Sequence, residues 1–149
     1  MRAVVQRVSR AKVMVNGRIT GEIGGGLMVL LGVSAADEER DADYLVEKIV
    51  NLRIFENVDG KMDRSIADVE GEMLVVSQFT LYADTRRGRR PSYIRAARGE
   101  TAVRLYEYFV RIARCSGLKV ETGEFGAMMD VELTNYGPVT IILDSEKTI

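Results

Sequence analysis

The sequence predicts a mixed α/β fold with a mainly antiparallel sheet and two principal helices. Three observations predict it: alternating apolar residues near the N-terminus, a turn signal between short strand-like runs, and two stretches of helical periodicity. Of the 149 residues, 46% are hydrophobic and 29% are charged, which is ordinary for a globular protein. Because no repeat, low-complexity segment or linker interrupts the chain, we expect residues 1–149 to form a single domain.

The first elements are predicted to be strands. Residues 2–8 and 11–16 alternate between apolar and polar side chains. Asn16-Gly17 is a two-residue hairpin signal, and residues 18–23 then form the returning strand. Residues 27–33 are nearly all apolar, as is typical of a strand that is buried on both faces.

The helices follow from apolar residues repeated at three- and four-residue steps. One covers about residues 38–51 and has acidic residues in its first turn, where the helix dipole favours them. The other covers about residues 100–116 and stops before Gly117. Residues 73–81 are predicted to be a further strand. Residues 131–143 contain two strand-like segments joined by Gly-Pro, which in the simplest interpretation is a tight turn.

The predicted strand 73–81 ends in the polar run Ser77-Gln78-Phe79-Thr80. Burying such groups costs free energy unless each finds a partner, so the run indicates a site. The alternative is a strand end whose hydroxyls cap a turn. In a regular strand Ser77 and Phe79 face one side, and Gln78 and Thr80 the other. All four therefore line one pocket only where the strand bends or ends, and a backbone N–H there would stabilise a developing oxyanion.

The chain contains no histidine and only one cysteine. It therefore lacks the usual general base and the commonest zinc ligand. The carboxylates show no metal-ligand spacing, so we predict neither a metal nor a cofactor. Thr80 is the candidate nucleophile, but an unactivated hydroxyl attacks poorly. With no possible internal disulfide and no run of about 20 apolar residues, the sequence favours a cytoplasmic protein without a membrane span.

Charge is unevenly distributed although the formal net charge is only −1. Six arginines and no acidic residue lie between positions 86 and 98: Arg86, Arg87, Arg89, Arg90, Arg95 and Arg98. A basic block on a nearly neutral protein indicates a directed contact with phosphate. The alternative is a solvated loop that its charge keeps soluble.

Six segments, in this order along the chain, resemble the D-aminoacyl-tRNA deacylase family. They are residues 1–8, 26–33, 77–81, 90–93, 125–129 and 137–140. One departure is Tyr136, because the family more often has an acidic residue before Gly-Pro. The resemblance implies a barrel-like core and an esterase that removes D-amino acids, and glycine, from tRNA. It also implies a homodimer with active sites at the subunit interface.

The resemblance assigns roles to particular residues. The catalytic segment is Ser77, Gln78, Phe79 and Thr80, with the ribose 2′-OH of the tRNA assisting hydrolysis. Gly137 and Pro138, joined by a cis bond, enter the active site of the other subunit and reject L-amino acids. Arg7 holds that motif in place, and its alternative role is that of an ordinary surface arginine.

The remaining roles concern the tRNA. The resemblance implies that Phe125, Met128 and Met129 support the terminal adenosine, with core packing as the alternative. Arg86, Arg87, Arg89 and Arg90 then contact phosphates of the acceptor stem. Two competing hypotheses are a threonine-dependent esterase or amidase for small molecules, and an RNA-binding module that grips acceptor ends without cutting them. The preferred amino acid and tRNA stay open.

Overall fold

The computed structural model describes residues 1–149 and has eight strands and two α-helices. In chain order the elements are β1 (Arg2–Val15), β2 (Arg18–Ile23), β3 (Gly26–Gly32), α1 (Glu39–Asn51), β4 (Phe55–Glu56), β5 (Met62–Arg64), β6 (Glu72–Ser77), a 3-10 helix (Phe79–Tyr82), α2 (Gly99–Cys115), β7 (Val120–Thr122) and β8 (Asp130–Asp144). The predicted fold class is confirmed, and both helices lie within one residue of their predicted bounds. No helix is long and apolar enough to cross a membrane.

Six strands form one sheet in the order β2-β1-β3-β6-β7, with β8 on the other side of β1. The pairs that involve β1 are antiparallel, whereas β3–β6 and β6–β7 are parallel. The first half of β1 pairs with β3 and its second half with β2. Because β2 also approaches β7, the sheet nearly closes into a barrel. The remaining strands, β4 and β5, form a small separate hairpin.

The N-terminal hairpin turns where the sequence predicts. Asn16 and Gly17 both have positive φ, 51° and 75°, as a two-residue hairpin turn requires. The two predicted strands before this turn are wrong in one respect, because they form the single strand β1. Its exposed residues Ser9 and Arg10 lie where the partner on one side changes from β3 to β2.

Two further predictions about strands are wrong. The strand predicted over residues 73–81 ends at Ser77, and the chain continues as a 3-10 helix. Near the C-terminus, β8 runs through Gly-Pro without a tight turn between strands. Gln6 pairs with Thr140 and Val8 pairs with Asn135, so β8 has three more residues between the pairs than β1 has. Gly137 and Pro138 therefore lie in a bulge of one continuous strand.

Two hydrophobic cores support the sheet. The larger one lies where α1 and α2 pack on the sheet and includes Leu45, Leu105 and Phe109, all with 0% exposure. The smaller one fills the other side of the sheet and includes Val13 and Leu74. Since each fully buried side chain of this size contributes about 1.5–3 kcal/mol, the two cores fix the ends of β3 and β6 firmly.

Candidate active site

A pocket of about 380 Å³ lies at the carboxyl ends of the parallel strands β3 and β6. One wall contains Ser77 and Gln78 at the end of β6. The opposite wall is the first part of α2, where Ala102 and Tyr106 lie one turn apart. Phe125 closes a third side and contacts Tyr106, with the ring centroids 5.4 Å apart. The pocket is therefore mostly apolar, with polar groups concentrated at one strand end.

The end of β6 is fixed by the neighbouring strand. The Gln78 N–H donates to the Leu31 carbonyl at 2.8 Å, and the chain then turns into the 3-10 helix. A Cβ at Gly32 would lie 3.0 Å from both the Gln78 oxygen and Leu81 Cβ, so only glycine lets this helix approach β3 so closely. The N–H groups of Phe79 and Thr80, the first two residues of the 3-10 helix, have no partner inside it.

The four predicted catalytic residues do not all face the pocket. Ser77, Gln78 and Phe79 line it, whereas Thr80 does not. The Thr80 hydroxyl instead accepts a hydrogen bond from the Gln78 side-chain amide. This follows from the end of the strand at Ser77, because the strict alternation of sides expected for a longer strand no longer applies.

The pocket has no carboxylate, thiol or imidazole in its lining. Its ionisable groups are Tyr93, Arg98 and Tyr106. Burial raises the pKa of Tyr106 to about 12, and its hydroxyl donates to the Val75 carbonyl at 2.8 Å. Arg98 is the N-cap residue of α2, whose positive end adds to the arginine charge. The lining therefore favours negative charge on a bound oxygen but offers no proton acceptor at neutral pH.

Aromatic rings form part of the pocket wall. Phe79 is 55% exposed and packs edge-on against Tyr93, with the centroids 5.1 Å apart. Of the three residues expected to support adenosine, only Phe125 lines this pocket. Met128 is 92% exposed, and Met129 packs against the smaller core, both outside the lining.

The lining also contains residues that were not predicted to belong to the site, among them three with ionisable groups: Tyr93, Arg98 and Tyr106. Two signals were nevertheless present in the sequence. Tyr93 ends the segment 90–93 that carries the family resemblance, and Tyr106 follows Ala102 by four residues on one helix face.

The Gly137-Pro138 peptide bond is cis, and both residues are exposed in the β8 bulge. The side chain of Asn135 holds this bulge, because its oxygen accepts from the Val139 N–H at 3.1 Å and its amide donates to Gln6 Oε1 at 2.6 Å. Neither Gly137 nor Pro138 lines the pocket of the same chain. A single chain therefore keeps the two predicted functional regions apart.

Arg7 lies beside this bulge and is only 3% exposed. Its Nε donates to the Tyr136 carbonyl at 2.9 Å, and its Nη1 donates to the Ile54 carbonyl at 2.7 Å. The alternative of an ordinary surface arginine is therefore wrong. Arg7 joins β1, the connection after α1 and the residue before Gly137.

The arginine-rich loop is closed at its base by paired backbone hydrogen bonds between Asp84 and Ser92. Arg86 forms a bidentate ion pair with Asp84, in which its Nε and Nη2 donate to the two carboxylate oxygens. These hydrogen bonds hold the pKa of the Asp84 carboxyl well below its usual range. Arg95 pairs with Glu146. The three remaining loop arginines are exposed and form no salt bridge: Arg87, Arg89 and Arg90.

No group of three or more His, Cys, Asp or Glu side chains is arranged to hold a metal ion. The chemistry that the pocket itself offers therefore comes from backbone N–H groups, hydroxyls, an amide and a positive electrostatic potential. Such a site suits a reaction in which negative charge develops on an oxygen atom.

Comparison with known proteins confirms the resemblance. The profile of the D-Tyr-tRNA(Tyr) deacylase family matches residues 4–144. A relative from Symbiobacterium thermophilum is 61% identical, covering 99% of this chain and 98% of its own length, and one from Thermosipho melanesiensis is 62% identical, covering 99% of each. Both relatives are named D-aminoacyl-tRNA deacylase, which denotes a hydrolase.

Solved structures share the fold. One, named "c-Myc DNA Unwinding Element Binding Protein", has a TM-score of 0.91 and 42% identity, covering 97% of this chain and 98% of that one. A second, described as "Structural Analysis of a probable eukaryotic D-amino acid tRNA deacylase", has a TM-score of 0.82 over 95% and 97% of the two chains, and at 17% identity it shows likeness of fold alone. From the family profile and the two bacterial relatives, the chain belongs to the D-Tyr-tRNA(Tyr) deacylase family.

Proposed function

We propose that this protein hydrolyses the ester bond of D-aminoacyl-tRNA, and of glycyl-tRNA, and spares L-aminoacyl-tRNA. The observation that carries the proposal is the pocket at the end of β6, whose lining includes Arg98 and the start of a 3-10 helix but no carboxylate or imidazole, in a chain about 60% identical to proteins named D-aminoacyl-tRNA deacylase. Since its substrate is used in translation, we assign the protein to the cytoplasm.

In the proposed reaction a water oxygen attacks the ester carbonyl carbon, and negative charge develops on the carbonyl oxygen. The first N–H groups of the 3-10 helix, from Phe79 and Thr80, stabilise that charge. The bond between the carbonyl carbon and the ribose 3′-oxygen then breaks, and this oxygen receives the proton that the water loses. The neighbouring 2′-OH orients the water and relays the proton, because it is both a donor and an acceptor.

Selectivity is assigned to Gly137 and Pro138. Both are exposed in the β8 bulge and outside the pocket of their own chain. As the family resemblance implies, they act on the pocket of a second copy, in a homodimer with active sites at the subunit interface, and their exposure supports this assignment. There the rigid backbone collides with an L side chain, whereas a D side chain points away and glycine has none.

The tRNA is held by its terminal adenosine and its phosphates. Phe125 offers an aromatic surface in the pocket, whereas a contact of Met128 and Met129 with the adenosine rests on the family resemblance alone, because both lie outside the lining. The arginine loop contacts acceptor-stem phosphates through Arg87, Arg89 and Arg90, whose charges are unpaired. Arg86 contributes less to this contact, because Asp84 already neutralises it.

A second candidate function is nucleic-acid binding without cleavage, which is favoured by the 42%-identical structure, because that protein is named for binding a DNA unwinding element. The threonine-dependent esterase has less support, because the Thr80 hydroxyl accepts from Gln78 and has no neighbouring base.

Parallel hydrolysis of D-tyrosyl-tRNA and L-tyrosyl-tRNA, with a metal chelator present, tests the proposal. We expect rapid loss of the D ester alone. Binding of tRNA with neither ester cleaved would instead establish the binding protein, and equal loss of both esters would contradict the proposed selectivity.

A further inference from the structure

The buried charge of Arg7 has no buried carboxylate to balance it. The nearest acidic oxygen is Glu56 Oε1, which lies 3.9 Å from Nη2 on a side chain that is 51% exposed. A buried cation is costly unless its surroundings compensate for lost hydration. Two carbonyl groups supply part of that compensation, those of Tyr136 and Ile54. The Tyr136 ring adds to it, because its centroid lies 5.0 Å from Arg7 Cζ.

Tyr136 therefore contacts Arg7 twice, with its carbonyl and with its ring. The side chain belongs to neither hydrophobic core, and the residue is 58% exposed. Core packing does not account for an aromatic residue at this position. The contact that its ring makes is with the guanidinium of Arg7.

The same guanidinium also contacts Gly137. A Cβ at Gly137 would lie only 2.8 Å from Arg7 Nη2, so the guanidinium packs directly against the glycine backbone. Together with the Asn135 side chain, Arg7 consequently helps to fix the position of Gly137 and of Pro138 after it. A loosely held guanidinium would let this segment move.

We propose that Tyr136 is a positioning residue for selectivity, whose ring holds Arg7 so that Arg7 holds Gly137 and Pro138. This inference rests on the proposed role of Gly137 and Pro138 against L-aminoacyl esters. The Tyr136 carbonyl remains after any side-chain replacement, so substitutions at this position isolate the contribution of the ring.

Three variants separate the ring from its bulk and from general stability. Tyr136→Phe keeps the aromatic face, whereas Tyr136→Leu keeps apolar volume without it. A matched control is Tyr108→Leu on α2, because Tyr108 also has an arginine Cζ, that of Arg111, 5.0 Å from its ring centroid. Thermal melting shows whether each variant is folded.

The measurement is kcat/KM for D-tyrosyl-tRNA and for L-tyrosyl-tRNA. We expect Tyr136→Leu to raise hydrolysis of the L ester and to lower the D-to-L ratio about 3- to 30-fold, the range that one partly desolvated cation–π contact permits. Tyr136→Phe and Tyr108→Leu should keep the ratio of the wild type. An unchanged ratio in folded Tyr136→Leu would overturn the inference, and so would an equal fall in both rates.

A second measurement is independent of catalysis. The Arg7 Nε–H should exchange slowly with solvent, because it is buried and hydrogen-bonded to the Tyr136 carbonyl, and NMR can follow its exchange. We expect faster exchange in Tyr136→Leu than in the wild type and no change in Tyr136→Phe. Equal exchange in all three would overturn the inference, even if the wild type hydrolyses only the D ester. If the wild type cleaves neither ester, the proposed function fails, and the role of Tyr136 in selectivity fails with it. Faster exchange in Tyr136→Leu would still show in that case that the ring holds Arg7.

Discussion

The pocket and the Gly-Pro bulge differ in the arrangement of their strands, in their exposure and in the residues that hold them in place. The pocket lies where two parallel strands end, and it is lined mainly by apolar groups with no charged group except Arg98. The bulge lies in the long antiparallel strand β8 and is exposed. The buried Arg7 contacts it from the protein interior. Under the proposed function, the reaction uses fixed backbone donors at a mostly apolar strand end, whereas selectivity uses a backbone wall that another molecule can approach.

The largest expected effect comes from removing one backbone N–H in the pocket. Phe79→Pro deletes this donor, and proline is tolerated at the first position of a helix. Gln78 before it lies outside the α region that a following proline disfavours, with φ −145° and ψ 77°. We expect single-turnover hydrolysis of D-tyrosyl-tRNA to fall about 10²- to 10³-fold relative to Phe79→Ala, which loses the ring but keeps the N–H. Equal rates in the two folded variants would contradict an oxyanion role for this group.

A smaller effect is expected from the arginine loop, to which the proposed function assigns tRNA binding but neither the chemistry nor the selectivity. Neutralising Arg87, Arg89 and Arg90 to Gln should weaken tRNA binding and lower the slope of log affinity against log salt by about 0.7–0.9 for each phosphate that the loop no longer neutralises. Arg86→Gln should change that slope less, because Asp84 already pairs with Arg86.

A triple variant with the same change of net charge is the control for the loop. It replaces exposed cations elsewhere on the surface that likewise form no salt bridge: Arg18, Lys61 and Arg111. If it changed the salt slope as much as the loop variant, the effect would come from total charge, and the loop assignment would be wrong.

The substitution Gly137→Ala disrupts the backbone geometry of the bulge most directly. The new Cβ would meet Arg7 Nη2 and Val139 Cγ2 at 2.8 Å, and φ is +134°. We expect the free energy of unfolding to fall by about 1–3 kcal/mol and hydrolysis of L-tyrosyl-tRNA to rise as the wall shifts. Gly60→Ala is the control, because Gly60 has φ +76° with nothing within 4 Å of the added Cβ. Stability should fall in both variants, but selectivity only in Gly137→Ala.

The two regions were predictable from the sequence to different degrees. The hairpin at Asn16-Gly17 and both helices depend on local signals and were predicted well. The end of β6 at Ser77 depends on a contact with Gly32, far away in the sequence, which no local pattern reveals. The burial of Arg7 likewise depends on carbonyls of Ile54 and Tyr136. Both regions were marked by unusual residues, but their geometry is set by distant partners.

A still smaller effect is expected from the Thr80 hydroxyl. It lies outside the pocket lining and accepts a hydrogen bond from Gln78. Thr80→Ala should therefore keep hydrolysis of D-tyrosyl-tRNA within a few-fold of the wild type, since losing one neutral hydrogen bond costs about 1 kcal/mol. If the folded Thr80→Ala variant lost several orders of magnitude in hydrolysis rate, the result would instead support Thr80 as the nucleophile.

The last effect concerns stability alone and is confined to alkaline pH, and it tests whether the pocket wall is free of titration near neutrality. Burial raises the pKa of Tyr106 to about 12 from an ordinary value near 10. The folded state therefore keeps a proton that the unfolded state releases, so this stabilisation is complete below pH 10 and is lost as pH rises towards 12. The full size of this stabilisation is roughly 2–3 kcal/mol.

In Tyr106→Phe this loss should be absent. Urea unfolding should therefore show that the difference in stability between the wild type and Tyr106→Phe shrinks as pH rises from 10 towards 12. Other alkaline groups, including Tyr82 with its raised pKa, are common to both proteins and cancel in the difference. If the difference in stability changed between pH 6 and 8 instead, Tyr106 would titrate near neutrality. The pocket lining would then contain a proton acceptor, contrary to the proposed mechanism.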